Sequence, residues 1–195
     1  PLFAFIEAIK SFINTATTVA PLPMSIIIAV SMGMLLTSPL SSAAIAITIQ
    51  LSGIAGGAAV VGTMIQMIGF SFQSRKDNSL GMVLSIGFGT SMLQFKNILR
   101  KPVIWIPTIV ASAVLAPILV LLFKIETTAY GAGMGTAGLV GPLQTLFEMN
   151  YSVNAFLSMV IILFGGVALV YVFDLLLRQL GLIVNGDFNV LNDIV

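Results

Sequence analysis

Neither histidine nor cysteine occurs among the 195 residues, and only 8% of them are charged, eight basic against seven acidic. Without imidazole or thiolate the chain cannot hold zinc in the usual nitrogen and sulfur sites, form a disulfide, or accept phosphate on those side chains. The net charge of +1 supplies no basic field for nucleic-acid phosphates. No nucleophile, base and orienter stand at a workable spacing, so an intramembrane enzyme is disfavoured and no catalytic, cofactor or metal residue is assigned.

What is abundant is apolar surface. Hydrophobic residues make up 58% of the chain and the mean hydropathy is +1.11. The few charges are bunched, leaving charge-free intervals at 11–74, 78–95, 102–123, 127–147 and 149–173. Several exceed the ~20 residues that cross a bilayer core, so the chain reads as a multi-pass α-helical membrane protein. Its start at Pro1, with neither an initiator Met nor a basic leader, suggests that part of a longer protein lies upstream or that the chain was trimmed, and 1–195 reads as one transmembrane domain.

Residues 1–17 place Leu2, Phe5, Ile6, Ile9, Phe12 and Ile13 at helical spacing opposite Glu7, Lys10, Ser11 and Asn14, which predicts an amphipathic helix at the membrane surface. In the first charge-free interval an apolar helix over 24–37 ends at Ser38-Pro39, and a second runs to Phe72. The remainder, 39–51, is too short to span and predicts a half-helix. Segment 102–123 is the cleanest span, with Trp105 at its cytoplasmic edge and Pro107 and Pro117 placed to bend it; 151–177 is another, ending at Arg178.

Five of the eight cations, Arg75, Lys76, Lys96, Arg100 and Lys101, bracket segment 79–95. By the positive-inside rule both its ends face the cytoplasm, so this glycine-bearing stretch must turn back as a re-entrant hairpin. Segment 131–147 carries too many helix breakers for a continuous lipid-facing helix and predicts a second hairpin, entered from outside. Ser91-Met92-Leu93-Gln94 and Gly141-Pro142-Leu143-Gln144 end the two alike. Similar units entering from opposite sides form an inverted-topology repeat, a transporter device. The expected fold is therefore an all-α polytopic transmembrane bundle with two re-entrant hairpins and an inverted repeat.

A polar group at bilayer depth needs a partner, water or a solute. Glu148, flanked by Asn150 and Asn154, stands between two charge-free intervals, and a carboxylate among amides suits sugar hydroxyls or ion coupling. Thr90, Ser91, Gln94 and Asn97 of the first hairpin and Gln144 of the second would converge with it if the tips meet. Gln50 and Gln66 read instead as amides linking helices, and Gly53 with Gly57 and Ala55 with Ala59 as small-residue packing pairs. Asp174 and Arg178, four apart, read as a structural pair, while the basic clusters could also draw anionic lipid or an acidic partner.

The stretches IQLSGIAGGAAVVGTMIQMIGFSFQSRKDNSLG (49–81), GFGTSMLQFKN (87–97) and GTAGLVGPLQTLFEMN (135–150) resemble the membrane IIC family of the bacterial phosphotransferase system. Within it they are similar to the branch containing the perfringolysin regulator and proteins labelled sugar-transport subunit IIC. The resemblance covers nearly the whole chain, and since family members are longer, with further spans upstream, the chain resembles their C-terminal portion. It implies a translocation domain for a small polar solute, a sugar, moved by alternating access, with phosphate carried on partner IIA and IIB proteins and with homo-oligomer formation open. It also implies a setting for Glu148 in LFEMN comparable to the sugar-contacting Glu of better-described IIC proteins, whose motif letters differ. The toxin-regulator branch supplies the rival expectation of a membrane sensor that does not transport.

Overall fold

The computed structural model describes residues 2–190, of which 2, 3, 5–10 and 14 are described by backbone alone. The polar and apolar faces expected of Leu2, Phe5, Ile6, Glu7, Ile9, Lys10 and Asn14 lie outside the described side chains; the backbone there is helical, as α1 (Leu2–Val19). Among the described residues there is no strand, only an isolated bridge between Gly53 and Thr127. The other helices are α2 (Pro21–Thr37), α3 (Ser42–Thr48), α4 (Gly53–Gln73), α5 (Leu80–Leu84), α6 (Phe95–Arg100), α7 (Ile106–Phe123), α8 (Ala129–Met134), α9 (Val140–Glu148), α10 (Val153–Val160) and α11 (Gly166–Gln179).

Three helical runs, Gly53–Lys76, Pro102–Phe123 and Val153–Gln179, are long and apolar enough to cross a membrane. Their burial ranks them: 89% of the first run's apolar window is covered by protein, 44% of the second's and 22% of the third's. The α4 run is thus the axis of the bundle, and the α10–α11 run, joined through a π-helical turn at Ile161–Gly165, presents most of its length outward. The shorter α2, rising about 25 Å over its 17 residues, packs against both α4 and α7.

Small residues make this packing. A Cβ on Gly62 would overlap the backbone carbonyl of Ala29 in α2, and one on Gly57 would overlap the carbonyl of Ile125. Where lipid removes the hydrophobic drive between helices, such backbone proximity supplies the dispersion contacts that hold them. Of the small-residue pairs expected from the sequence, a Cβ on Gly53 would meet nothing within 4 Å, Ala55 and Ala59 are buried, and Gly57 is closely packed, against the turn after α7 and not another helix. A Cβ on Gly56 would likewise crowd the Leu51 and Thr127 carbonyls.

The half-helix predicted in 39–51 is α3, whose N-terminus is capped by Ser41 Oγ accepting from the Ala44 amide at 3.2 Å. Pro117 lies inside α7, and Pro107 occupies its first turn, where the missing N–H costs nothing. Trp105 is half-buried, its Nε1 donating to Gln66 Oε1 at 3.0 Å.

The tail, whose Asn185-Gly186-Asp187 reads in sequence as a polar terminus, is instead docked. Phe188 is fully buried with Phe70, Ile86, Ile98, Ile104 and Ile183 in a second core. Its amide donates to Asp77 Oδ2 at 3.1 Å, and Lys101 pairs with Asp187 at 2.6 Å. The hydrophobic signal was a single Phe in a polar string, too short for any periodicity to reveal.

Gly62→Ala should lower the unfolding midpoint in detergent, corresponding to an overpacking cost of about 1–3 kcal/mol. Gly81→Ala, whose Cβ would meet nothing within 4 Å, should leave it unchanged or raise it. Phe188→Ala should destabilise by about 3–5 kcal/mol, read by the same thermal scan.

Candidate functional site

Both glycine-rich segments fold as helix, break, helix. In the first, α5 opens at a Ser79 cap and runs into a π-helical turn, Ser85–Gly89. Thr90 is then extended (φ −159°, ψ 132°), and a 3-10 turn, Ser91–Gln94, leads into α6. In the second, α8 stops at Gly135 (φ 55°, ψ −133°), a conformation reserved to glycine, and Gly138 and Leu139 both take left-handed φ before α9 begins. Leu139 has a side chain in that region, a strain of about 1–2 kcal/mol stored at the tip. Neither segment contains a helix long enough to span.

The two helices of the second segment pack side by side, whereas the first segment is tied at both ends to the tail. Thr128 Oγ1, at the start of α8, donates to Gln144 Oε1 of α9 at 2.8 Å. In the first segment Asn78 Nδ2, ahead of α5, and Gln94 Nε2, beyond the break, donate to the same Phe188 carbonyl at 2.7 and 2.9 Å. The two breaks then meet: buried Thr136 Oγ1 donates to the Gly87 carbonyl at 2.5 Å.

Breaking a helix in an apolar interior frees backbone groups that lipid cannot satisfy. Hydroxyls from neighbouring elements take them up. Thr63 Oγ1 of α4 lies 3.3 Å from the Ala132 carbonyl, Ser42 Oγ of α3 donates to that of Gly133 at 2.7 Å, and the Gly141 amide donates to that of Gly135 at 2.7 Å. On the other tip Ser91 Oγ and Thr37 Oγ1 are 3.0 Å apart. Behind them Gln66 Oε1 accepts from Thr108 Oγ1 as well as Trp105, both at 3.0 Å, while its Nε2 is buried without a partner among the described residues. Gln66 thus does link helices, as its sequence setting suggested; Gln50 is exposed with a left-handed φ of 51°.

Between the two breaks and the α2–α3 turn lies an open cleft of about 200 Å³, lined by Ser38, Ser41, Ser42, Thr90, Gly133 and Ala137 among others, with no charged side chain. Ser41 and Thr90 use their oxygens to accept from backbone amides, Thr90 from Met92 at 3.2 Å, which leaves each O–H able to donate. The cleft is smaller than the roughly 300–1,000 Å³ typical of drug-sized ligand sites, and its lining sets the hydroxyls of Ser38, Ser41, Ser42 and Thr90 among apolar side chains, Leu36, Leu40, Met92 and Met134 included, without formal charge.

The seven sequence candidates are distributed, not clustered. Thr90 lines the cleft, and Ser91 is buried directly behind it. Gln94 and Asn97 are buried and occupied with the tail: Asn97 Nδ2 lies 2.8 Å from Gln94 Oε1 and 3.1 Å from the Asn189 carbonyl. Gln144 is half-buried at the base of the second hairpin. Glu148 ends α9, exposed, with exposed Asn150 two residues on and Asn154 exposed at the start of α10. Thr136, Thr37, Ser41 and Ser42 were missed. The available signal was threonine and serine placed directly at the breakers, as in Gly135-Thr136 and Ser38-Pro39-Leu40-Ser41-Ser42.

An all-helical chain with three long apolar runs and irregular backbone sheltered at its centre is a multi-pass membrane protein. Residues 2–190 match the family model described as Phosphotransferase system, EIIC, and the chain belongs to that family. EIIC proteins are membrane components of sugar transport, working with IIA and IIB phosphotransfer partners and not catalytic themselves. Searches of curated proteins and of solved structures returned no match.

Thr136→Val keeps the shape of the side chain but leaves the Gly87 carbonyl buried without its donor. A loss of about 1–3 kcal/mol is expected, read by thermal unfolding; an unchanged midpoint would show that the two tips do not depend on this bond.

Proposed function

We propose that the chain moves a small neutral polyhydroxylic solute, a sugar, through the cleft between two re-entrant hairpins that enter from opposite sides as an inverted repeat. The observation that carries the reading is the contact of the two broken tips, Thr136 on Gly87, beside an uncharged cleft in which four hydroxyls stand among apolar side chains. An ionic solute would need a countercharge there; a sugar asks for donors and acceptors at low electrostatic cost. Parity of the bunched cations favours opposite sides of entrance for the two hairpins.

In this reading Thr90, with Ser41 and Ser42, contacts the solute, and Ser91 and Thr37 hold the tip behind it. Gln144 staples the second hairpin through Thr128, and Gln94 with Asn97 fixes the first hairpin through the tail. Glu148 and Asn150 stand at the far end of α9, at a mouth that the solute meets on its way to or from the cleft. Alternating access is separation of the tips on one side and then the other, with the tightly packed α2, α4 and α7 as the fixed frame. The chain acts as one membrane unit, and phosphorylation of the sugar falls to the IIA and IIB partners.

A sugar panel screened by thermal shift should find a stabilising compound whose effect is lost in Thr90→Val and kept in Glu148→Gln. Loss in Glu148→Gln alone would move the site to the mouth. Because the native chain has no cysteine, Met92→Cys with Ala137→Cys, one on each tip, gives a clean cross-linking pair. That sugar should slow its cross-linking, and equal rates with and without sugar would argue against a solute between the tips.

A further inference from the structure

The docked tail turns at residues 184–187, where the Asp187 amide donates to the Val184 carbonyl at 3.3 Å and the Val184 amide donates to Asp187 Oδ2 at 2.7 Å. Asn185 and Gly186, the two residues so enclosed, are both exposed, and Gly186 takes φ 99°, a turn position that suits glycine. Asparagine is a thermolabile residue, and Asn185 alone among the asparagines of the chain precedes a glycine. With no Cβ on that glycine, its amide nitrogen meets no steric bar on the way to the Asn185 side-chain carbon.

The reacting groups are open to one another and to water. The Gly186 N–H makes no hydrogen bond among the described residues, while the Gly186 carbonyl accepts from the Asn189 amide at 3.1 Å. Asn185 Oδ1 accepts from Arg178 Nη1 at 3.1 Å, and Arg178 is itself fixed by Asp174 at 2.7 Å. A guanidinium on that oxygen stabilises the negative charge it gains when the carbon beside it is attacked. The turn lies beyond Gln179, where α11 ends, among Arg178, Asp187 and Lys101, and such charges belong to the aqueous edge. Other asparagines are held. Asn78 donates to the Ser74 and Phe188 carbonyls and accepts from the Val190 amide, and Asn97 is buried with its Nδ2 on Gln94 and Asn189.

We propose that Asn185 is a site of spontaneous covalent modification whose isoaspartyl product releases the docked tail. The Gly186 nitrogen loses its proton and bonds to Asn185 Cγ, the Cγ–Nδ2 bond breaks, and ammonia leaves a cyclic succinimide. Water then opens the ring, at Cγ to give aspartate or at the main-chain carbonyl carbon to give isoaspartate. Aspartate keeps the backbone as it was and places a carboxylate on Arg178. Isoaspartate routes the chain through Cβ and adds a methylene to the backbone inside the turn that sets Asp187 on Lys101 and, next to it, Phe188 in its core. Gln94 and Asn97 then lose the Phe188 and Asn189 carbonyls that occupy them.

The test needs no solute and stands apart from the transport reading. Purified full chain in detergent, held at mildly alkaline pH in heavy-oxygen water, would be mapped by peptide mass spectrometry, with a free peptide of residues 180–190 as the unprotected reference. Asn185 should convert in the folded chain at a rate close to that of the peptide, taking up heavy oxygen as aspartate and isoaspartate, while Asn78 and Asn97 stay intact. Conversion slower than in the peptide by about tenfold or more, a barrier of about 1.4 kcal/mol for opening the turn first, would show the fold protecting Asn185 and overturn the site. Hydrogen exchange reads the tail. The Phe188 and Val190 amides, bonded to Asp77 and Asn78, should lose protection in the isoaspartyl fraction. They should keep it in equally aged Asn185→Gln, whose longer side chain closes the ring slowly, and in Asn185→Asp, which adds charge without lengthening the backbone. Unchanged protection in the isoaspartyl fraction would overturn the release of the tail. Loss of protection in Asn185→Asp would assign the release to charge and overturn the role of the lengthened backbone.

Discussion

The close approach of other backbone to α4 is the constraint on which the remaining structure depends. Gly62 lets α2 lie against it at Ala29, Gly57 and Gly56 admit the turn that follows α7, and Gly135 of the second break sits against the Thr63 backbone. No hydrophobic force draws helices together in lipid, so contact has to come from dispersion at short range and from interhelical hydrogen bonds. Larger side chains at these positions would move the neighbours outward and open the shelter that the broken segments occupy.

That shelter determines what chemistry the centre can have. Irregular backbone at membrane depth survives only where protein satisfies its free carbonyls and amides, and here the satisfying groups are hydroxyls: Thr63, Ser42 and Thr136. A charged partner would have required its own compensation, at about 2.5–3.5 kcal/mol for insertion at the helix centre. Each of these hydroxyls donates its O–H to a carbonyl of another element and keeps a lone pair over. Ser42 also borders the cleft with Ser38, Ser41 and Thr90, so the same choice of residue leaves the cleft polar without charge.

Charge is confined to the ends. Asp77, Lys101 and Asp187 tie the tail to both ends of the first interrupted segment, and Asp174, Arg178 and Gln73 tie α11 to α4. Docking of the tail consumes Gln94 and Asn97, the two amides at the end of that segment that could otherwise have faced a solute. Their polarity at depth is explained by the Phe188 and Asn189 carbonyls that they bind.

The membrane class, the long runs, the break at Ser38-Pro39, the half-helix after it and the two interrupted segments were legible because each rests on local properties. Hydropathy over about 20 residues, a proline without an N–H and glycines too frequent for a helix act through the chain near them. Glu148 stood out for a local reason too, its isolation among uncharged residues, yet isolation along the chain does not fix depth, and the fold leaves it exposed at the end of α9. Which polar groups meet was decided only by tertiary structure. Thr136 and Gly87 are 49 residues apart, and Gln94 and Phe188 are 94 apart; their pairing follows from how the helices cross at glycine, a geometry that no single stretch of sequence contains. By itself the sequence determined, through its scarcity of charge and its clustered glycines, that the chain lies in a membrane and that two of its apolar segments are interrupted. The packing around α4 decided where the two breaks meet, and so where an uncharged cleft could form.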